Sequence, residues 1–381
     1  MKVGILTYHS SDNYGAYLQS YALAKALHDA TNYEVEIIDF TMSKAKAMNK
    51  KMINFNRRQL ESWVFNYYKY KMFIESRKKW LPLSKEALVS DDLNAFSKFV
   101  ERQKYDAVIV GSDEVWKLDG FRGFPNPYWL PNVHDVKKVA YAVSARNAVE
   151  DLAQEVVVDA SKLMSEFVYV GVRDSATQKL AFDLAVHESE KIHVNCDPTF
   201  AYDYNPNKEN GKRILREKFR INTNKACVGL MCGVPDLANE IVKKYKNKVQ
   251  IVSLYYYYRH TKGFYVLTPF EWIDVIAALD GLITTFFHGM VFAIKSDTRF
   301  LAIENRPVKN ISSSKSYDLL KRNGLESNCV NIAEKEEVSR SLEKFIEEIC
   351  SKKISCDFSK TRVHERKMFT AFVDEFKALL E

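Results

Sequence analysis

Two short stretches, Val3-Gly4-Ile5-Leu6-Thr7 and Val35-Glu36-Ile37-Ile38-Asp39-Phe40, decide the reading of the architecture. Each is an apolar run of strand length rich in β-branched residues. Between them lies the polar turn Tyr8-His9-Ser10-Ser11-Asp12-Asn13-Tyr14, full of turn formers. A helix over 15–29 follows, with Ala22-Leu23-Ala24-Lys25-Ala26-Leu27 as strong helix formers and Leu18, Tyr21, Ala22 and Leu27 on its buried side. Strand, helix and strand within about forty residues predict a βαβ unit and a parallel sheet. The first turn has no Gly-x-Gly-x-x-Gly, so no dinucleotide site is read there. The opening residues, with one charge and no small-residue cleavage site, read as a strand rather than a signal peptide.

The alternation continues outward from this unit. A helix at 92–103 leads to a strand at 106–110 and the turn Gly111-Ser112-Asp113-Glu114-Val115-Trp116. Strands follow at 139–143, 167–172 and 192–195, with helices at 149–166 and from 173 to about 185. Pro198 then stops regular structure, and 202–211, rich in Asn, Pro and Lys, reads as a linker. A second series runs through strands at 226–231, 249–254, 279–283 and 299–304 and helices at 236–245, 314–323 and 334–349. Thr268-Pro269-Phe270-Glu271 opens a further helix, with Pro in its first turn. The expected division is residues 1–203, 204–355 and a C-terminal helix at 356–381 that packs back across the domains. The fold class is α/β, with two Rossmann-like domains facing a cleft, where small ligands collect.

The chain has 381 residues, too many for one ordinary core. Its 46% hydrophobic and 28% charged residues suit a soluble globular protein, and no apolar run is long enough to span a bilayer. Six scattered cysteines include no Cys-x-x-Cys pair, which favours reduced thiols and gives no metal spacing. The Asn310-Ile311-Ser312 sequon carries no weight in a chain read as cytoplasmic.

The net charge is +7, and residues 41–80 alone hold eleven Lys/Arg against Glu61 and Glu75. The whole basic excess therefore sits in one helical insertion that also carries Phe55, Trp63, Tyr67, Tyr68 and Trp80. Such a segment is either a solvated helical excursion with packed aromatics or a contact for an anionic membrane surface. Nucleic acid is not favoured, because no nucleic-acid motif accompanies it.

Within the second series, Thr284-Thr285-Phe286-Phe287-His288-Gly289-Met290 is a strand-to-helix turn, which lies at the carboxyl edge of a sheet. His288 there is either a packed turn histidine or a group facing ligand. Gly289 would let the backbone approach a ligand. The run Tyr255-Tyr256-Tyr257-Tyr258 is either a strand end or an aromatic platform for rings.

Several ordered pieces resemble the polysaccharide pyruvyl transferase family. Asn13-Tyr14-Gly15-Ala16-x-Leu18-Gln19 is similar to its first turn and helix, and Gly111-Ser112-Asp113-Glu114-Val115-Trp116 to its Gly-Ser-Asp-Gln-x-Trp. Tyr141-Ala142-Val143-Ser144, Val172-Arg173-Asp174, Asp197-Pro198-Thr199, Phe287-His288-Gly289 and the helix from Asp318 to Leu325 match further family segments in order. The resemblance implies an architecture like that of GT-B glycosyltransferases. It also implies transfer of pyruvate from phosphoenolpyruvate to two hydroxyls of a sugar, as a ketal; no cofactor is expected, and no metal, because no His/Asp/Glu cluster at ligand spacing appears. The implied acceptor is a cytoplasmic precursor of a cell-surface polysaccharide such as a lipid-diphosphate oligosaccharide; the basic segment 41–80 separately leads to the expectation of peripheral attachment to the membrane.

That chemistry assigns roles. Protonation of the donor methylene calls for a general acid, for which His288 is matched. Asp113 or Asp197 would orient the acceptor hydroxyl or take its proton; alternatively each caps a turn. Arg173, Lys315, Arg146 and Gly289 are the donor-side candidates, although Arg173 could instead pair with neighbouring acids. Asn13, Tyr14, Gly15, Ser112 and Asp197 are the acceptor-side candidates. The chain departs from the family at Phe286, where some members place arginine, and at Ala145-Arg146-Asn147, where Ser-Phe-Gly is common. Two other functions stay open on the same frame: a nucleotide-sugar glycosyltransferase and a non-catalytic glycan-binding protein.

Overall fold

The structure is a computed structural model that describes residues 1–51, 60–118, 120–145, 147–185, 188–222, 224–263, 265–305, 314–351 and 356–381. Arg146, the sequon at 310–312 and residues 52–59 of the basic insertion lie outside the described residues. The chain divides into two compact units. One comprises Met1–Met52, Arg77–Asp203 and His364–Glu381, the other Ile53–Ser76 and Tyr204–Val363.

The first unit holds seven strands: β1 (Lys2–Leu6), β2 (Glu34–Thr41), β3 (Leu83–Val89), β4 (Ala107–Val110), β5 (Lys137–Val143), β6 (Phe167–Val172) and β7 (Ile192–Val194). They form one sheet in the order β3-β2-β1-β4-β5-β6-β7, every pair parallel. Val3 stands opposite Val35 on one side and Ala107 on the other. Because helices cover both faces, the central strands are buried throughout; all four residues of β4 are inaccessible. Trp116 and Trp129 stack 4.5 Å apart in this core. From His364 onward the C-terminal helix belongs to this unit. Its Phe372 lies 4.4 Å from the Tyr141 ring and 5.2 Å from that of Tyr169.

The second unit holds β8 (Cys227–Met231), β9 (Gln250–Ser253), β10 (Gly281–Thr284), β11 (Phe300–Glu304) and β12 (Cys329–Asn331), in the order β12-β11-β10-β8-β9 and again wholly parallel. A capping box between Thr268 and Glu271 starts the helix Pro269–Ala278, as the Thr-Pro-x-Glu pattern predicts.

Four expectations change. The insertion at 41–80 is not one appendage of the first domain, because Ile53–Ser76 groups with the second unit. Its helix Leu60–Trp80 buries Phe65, Lys69, Phe73 and Ser76, spaced for one face. The linker at 202–211 is partly helical. Asn207 caps Lys208–Glu217, and Gly211 packs so closely that a Cβ there would sit 1.9 Å from the Asp274 carbonyl oxygen. Two edge strands, β3 and β12, were not anticipated. In β3 only Ser84 is fully buried and Lys85 and Glu86 face out, so no alternating apolar pattern marks it.

Candidate functional site

In a doubly wound sheet, ligands collect at the carboxyl edge where neighbouring strands send their connections in opposite directions. In the first unit that point lies between β1 and β4. The two loops there are tied together. Thr7 Oγ1 donates to the Ser112 carbonyl (3.1 Å), and the Tyr8 hydroxyl donates to the Glu114 carbonyl (2.9 Å). Gln19 Nε2 donates to Thr7 Oγ1 at 2.8 Å. Burial holds the Tyr8 phenol well above its ordinary pKa, even with Arg122 3.9 Å from its ring and opposing the rise, so it remains a donor.

After β4 the chain turns sharply. Gly111 has φ +117°, and a Cβ on it would meet the Tyr141 carbonyl oxygen at 2.2 Å. Asp113 has φ 88°, a left-handed conformation that costs a non-glycine residue about 1–3 kcal/mol. Two hydrogen bonds to its carbonyl hold it there, from Val115 N (2.7 Å) and Ser144 N (2.9 Å). Its carboxylate accepts from Arg173 Nη2 at 3.3 Å, while Arg173 Nη1 donates to Asp197 Oδ2 at 2.8 Å. Arg173 and Asp197 side chains are 1% exposed and that of Asp113 17%, so Asp113 is the member that reaches solvent. Burial alone would lower the pKa of Arg173. Asp113, Asp197 and Asp174 outweigh it and raise the value above the ordinary one.

This geometry revises several roles. Arg173, expected to meet the donor, is buried with both terminal nitrogens on carboxylates. Asp197, expected to face an acceptor, is also buried, and its second oxygen accepts from Thr199 N (3.0 Å) and Oγ1 (2.7 Å). The geometry matches the turn-capping reading of Asp197 and the ion-pairing reading of Arg173. Ser112, expected on the acceptor side, is wholly buried. Asn13 N-caps the helix Tyr14–Thr31, its side chain accepting from Gly15 N (2.8 Å) and Ala16 N (3.2 Å). Those amides are thus engaged by the protein's own cap, and Tyr14 and Gly15 are buried. Sequence reasoning missed two side chains that shape this turn. Arg77 Nη1 donates to the Ser10 carbonyl (3.2 Å) and Asp12 (3.1 Å), and His9 lies buried between the Thr7 carbonyl and Asp39. No local spacing links Arg77 to a turn more than sixty residues earlier.

In the second unit the opposed connections leave β8 and β10, which places the 284–289 turn at the switch point. Hydroxyls brace it. Gly233 N donates to Thr285 Oγ1 at 2.8 Å, Thr285 N to the Met231 carbonyl at 2.8 Å, and Phe286 N to Thr284 Oγ1 at 3.0 Å. His288 lies in the first turn of the helix Phe287–Lys295, 9% exposed, edge-on to Phe287 at 5.3 Å. Lys315, at the start of the helix Lys315–Arg322 capped by Ser314, places its Nζ 5.2 Å from the same Phe287 ring. The structure thus brings Lys315 and His288 to one side chain. Gly289 serves packing rather than ligand approach: a Cβ there would meet Thr284 Oγ1 at 2.4 Å and Met231 Sδ at 3.1 Å. Phe286, where some family members place arginine, packs at 4.7 Å and a 35° tilt on Tyr255 and lies 6.2 Å from Tyr256; the tyrosine run lies beyond β9, which ends at Ser253, and forms an aromatic wall with Phe286.

All six cysteines are free thiols, and burial pushes that of Cys329 up to about 12, which removes it as a nucleophile near neutrality. Among the described residues, no helix is long and apolar enough to cross a membrane, and no group of three or more His, Cys, Asp or Glu could hold a metal ion.

Over its whole length the chain shares its fold with UDP-GlcNAc 2-epimerase from Methanocaldococcus jannaschii (13% identity, TM-score 0.55, covering 98% of this chain and 99% of that one). Weaker likenesses include the Streptomyces sp. SF2575 glycosyltransferase SsfS6 complexed with thymidine diphosphate (10% identity, TM-score 0.49, 99% of each chain). Anabaena Alr3699/HepE in complex with UDP and glucose is another (11% identity, TM-score 0.48, 97% of this chain and 100% of that one). No curated protein sequence matches the chain. The profile described as polysaccharide pyruvyl transferase matches residues 13–307, more than three quarters of the length. The chain, α/β with two parallel Rossmann-like sheets, belongs to the polysaccharide pyruvyl transferase family.

Proposed function

We propose that the protein transfers pyruvate from phosphoenolpyruvate to two hydroxyls of a sugar in a cell-surface polysaccharide precursor. The observation that carries this reading is His288, placed in the turn at the switch point of the second sheet with Lys315 over the ring of its neighbour Phe287, in a chain of this family. In the reaction His288 protonates the donor methylene, and the carbon bearing the phosphate becomes an oxocarbenium centre. One sugar hydroxyl adds there, phosphate leaves, and the second hydroxyl closes the ketal; both hydroxyl protons are released. Lys315 neutralises the phosphate or carboxylate of the donor. Asp113, the exposed end of the Arg173 lattice, takes the acceptor proton, while Arg173 and Asp197 hold it in place. Phosphoenolpyruvate is a substrate and no cofactor enters.

Incubation with phosphoenolpyruvate and candidate acceptors tests the reading, through phosphate release and a matching gain of mass on the sugar. Neither product with any acceptor contradicts it. The aromatic wall at Phe286 and Tyr255 favours a second reading, a glycosyltransferase using a nucleotide sugar. Thermal stabilisation by nucleotide sugars and not by phosphoenolpyruvate would select that one.

We further propose a peripheral site of action on the cytoplasmic membrane face, with a lipid-diphosphate oligosaccharide as acceptor. The helix Leu60–Trp80 supports it: Leu60, Tyr68, Lys71, Lys78 and Lys79 are exposed, and Trp63 stacks on Tyr67. Exchanging Lys71, Lys78 and Lys79 for Glu should release the protein from anionic vesicles, since each surface lysine contributes about 1 kcal/mol there. Unchanged flotation contradicts the membrane reading.

A further inference from the structure

Lys69 sits in the middle of the buried stripe of the helix Leu60–Trp80, four residues from Phe65 and four from Phe73, and is 5% exposed. Burying an ammonium is unfavourable unless other groups replace its water. Here Nζ donates to the Tyr255 carbonyl at 3.2 Å and lies 3.5 Å from the centroid of the Tyr255 ring, with the Tyr256 ring at 5.7 Å. The Tyr255 ring in turn packs on Phe286 at 4.7 Å and 35°. Phe286 is the N-cap residue of the helix that carries His288, and it contributes no side-chain hydrogen bond to that helix start. A hydrogen-bonding cap would fix such a start through its oxygen. At this one, the ring of the cap residue packs against Tyr255, beside the hydrogen bond from Phe286 N to Thr284 Oγ1.

We infer that Lys69 is a positioning residue: by holding Tyr255 against Phe286 it sets the orientation of the turn that presents His288. The inserted helix thereby becomes part of the site's support. Phe286, apolar where relatives place arginine, is the surface through which that support acts. A cation on a ring face that is shielded from water is worth more than an exposed one, which suits a buried contact of this kind. Phe65 and Phe73 bury the same helix face, so the helix stays docked when Lys69 loses its charge.

The test uses Lys69→Met, which keeps a long apolar stem, and Lys69→Arg, whose guanidinium also stacks on aromatic faces. In protein labelled with 13C-histidine, the His288 ring signal is identified by its disappearance in His288→Gln. Lys69→Met is expected to move that signal and Lys69→Arg to return it toward the wild-type position. This arm does not depend on which reaction is catalysed. The activity arm rests on the proposed pyruvyl transfer. There, Lys69→Met lowers kcat roughly tenfold to a hundredfold, while KM for phosphoenolpyruvate stays within about twofold, as for a group that positions the acid without touching the donor. A wild-type enzyme that transfers no pyruvate overturns the function and leaves the inference on positioning to the spectrum. A His288 signal unchanged in folded Lys69→Met overturns the inference, as does equal displacement by Met and Arg. If Lys69→Met does not fold, Tyr255→Leu decides, since it removes the stacked ring and must move the same signal.

Discussion

The switch points of the two sheets hold their polar groups in opposite ways. At the first, charge is locked into a lattice: Asp113, Arg173 and Asp197 come from three loops, and two of the three are buried. At the second, neutral hydroxyls and rings brace the turn, and His288 lies in the first turn of a short helix with Lys315 over the ring of its neighbour Phe287. In this lattice of opposed charges Arg173 and Asp197 are shut off from solvent, and only Asp113 reaches it. The contrast sets a carboxylate held by its lattice, the proposed proton acceptor, against the proposed proton donor on a turn braced by hydroxyls and rings.

The largest effect should come from the proton donor. His288→Gln is expected to lower kcat by about 10²–10⁴ with little change in thermal stability. A variant of full activity would place the acid elsewhere and dissolve the contrast. Next is the lattice. Asp197→Ala leaves a buried guanidinium half unpaired and should cost about 3–5 kcal/mol in denaturant unfolding. Asp113→Asn, at the more exposed end, should cost far less stability, about 1 kcal/mol, and more activity. Equal stability losses would show that the two carboxylates do not differ as their burial implies.

The lattice should also be indifferent to pH near neutrality. A group whose folded pKa is raised contributes stability that is fully present below its unfolded value and is lost only as pH rises through the folded one. For Arg173 that loss lies in strongly alkaline solution. The stability difference between wild type and Arg173→Met should therefore stay flat from about pH 6 to pH 10. A decline across that window would break the assignment. A smaller effect is expected at the second turn, where Gly289→Ala forces a methyl against Thr284 Oγ1 and should cost about 1–3 kcal/mol. The smallest belongs to Asn13→Ala, which removes one helix cap worth about 1 kcal/mol.

Central strands were legible because burial on both faces writes them as apolar runs: β4 and β6 read as strands from composition alone. Edge strands were not, since β3 buries a single serine and β12 spans three residues. The helix Lys208–Glu217 was hidden by a polar start whose cap, Asn207, looks like a linker residue. At the sites, His288 and Asp113 could be found from local turn patterns because strand-to-helix turns have a defined place in a parallel sheet. Which residues support them could not. Arg77, Lys69 and Tyr255 act across dozens to hundreds of residues, and no periodicity encodes such contacts. Burial was equally illegible. Arg173 and Asp197 read as available charges, and only packing reveals that they neutralise each other.

The most direct test of the central claim is transfer run in D2O with phosphoenolpyruvate and a productive acceptor, reading the methyl group of the product by NMR. The account predicts one solvent deuteron in each transferred pyruvyl methyl, one phosphate released per ketal, and loss of both in His288→Gln. Phosphate release without ketal, or an unchanged rate of deuterated product from His288→Gln, would contradict it.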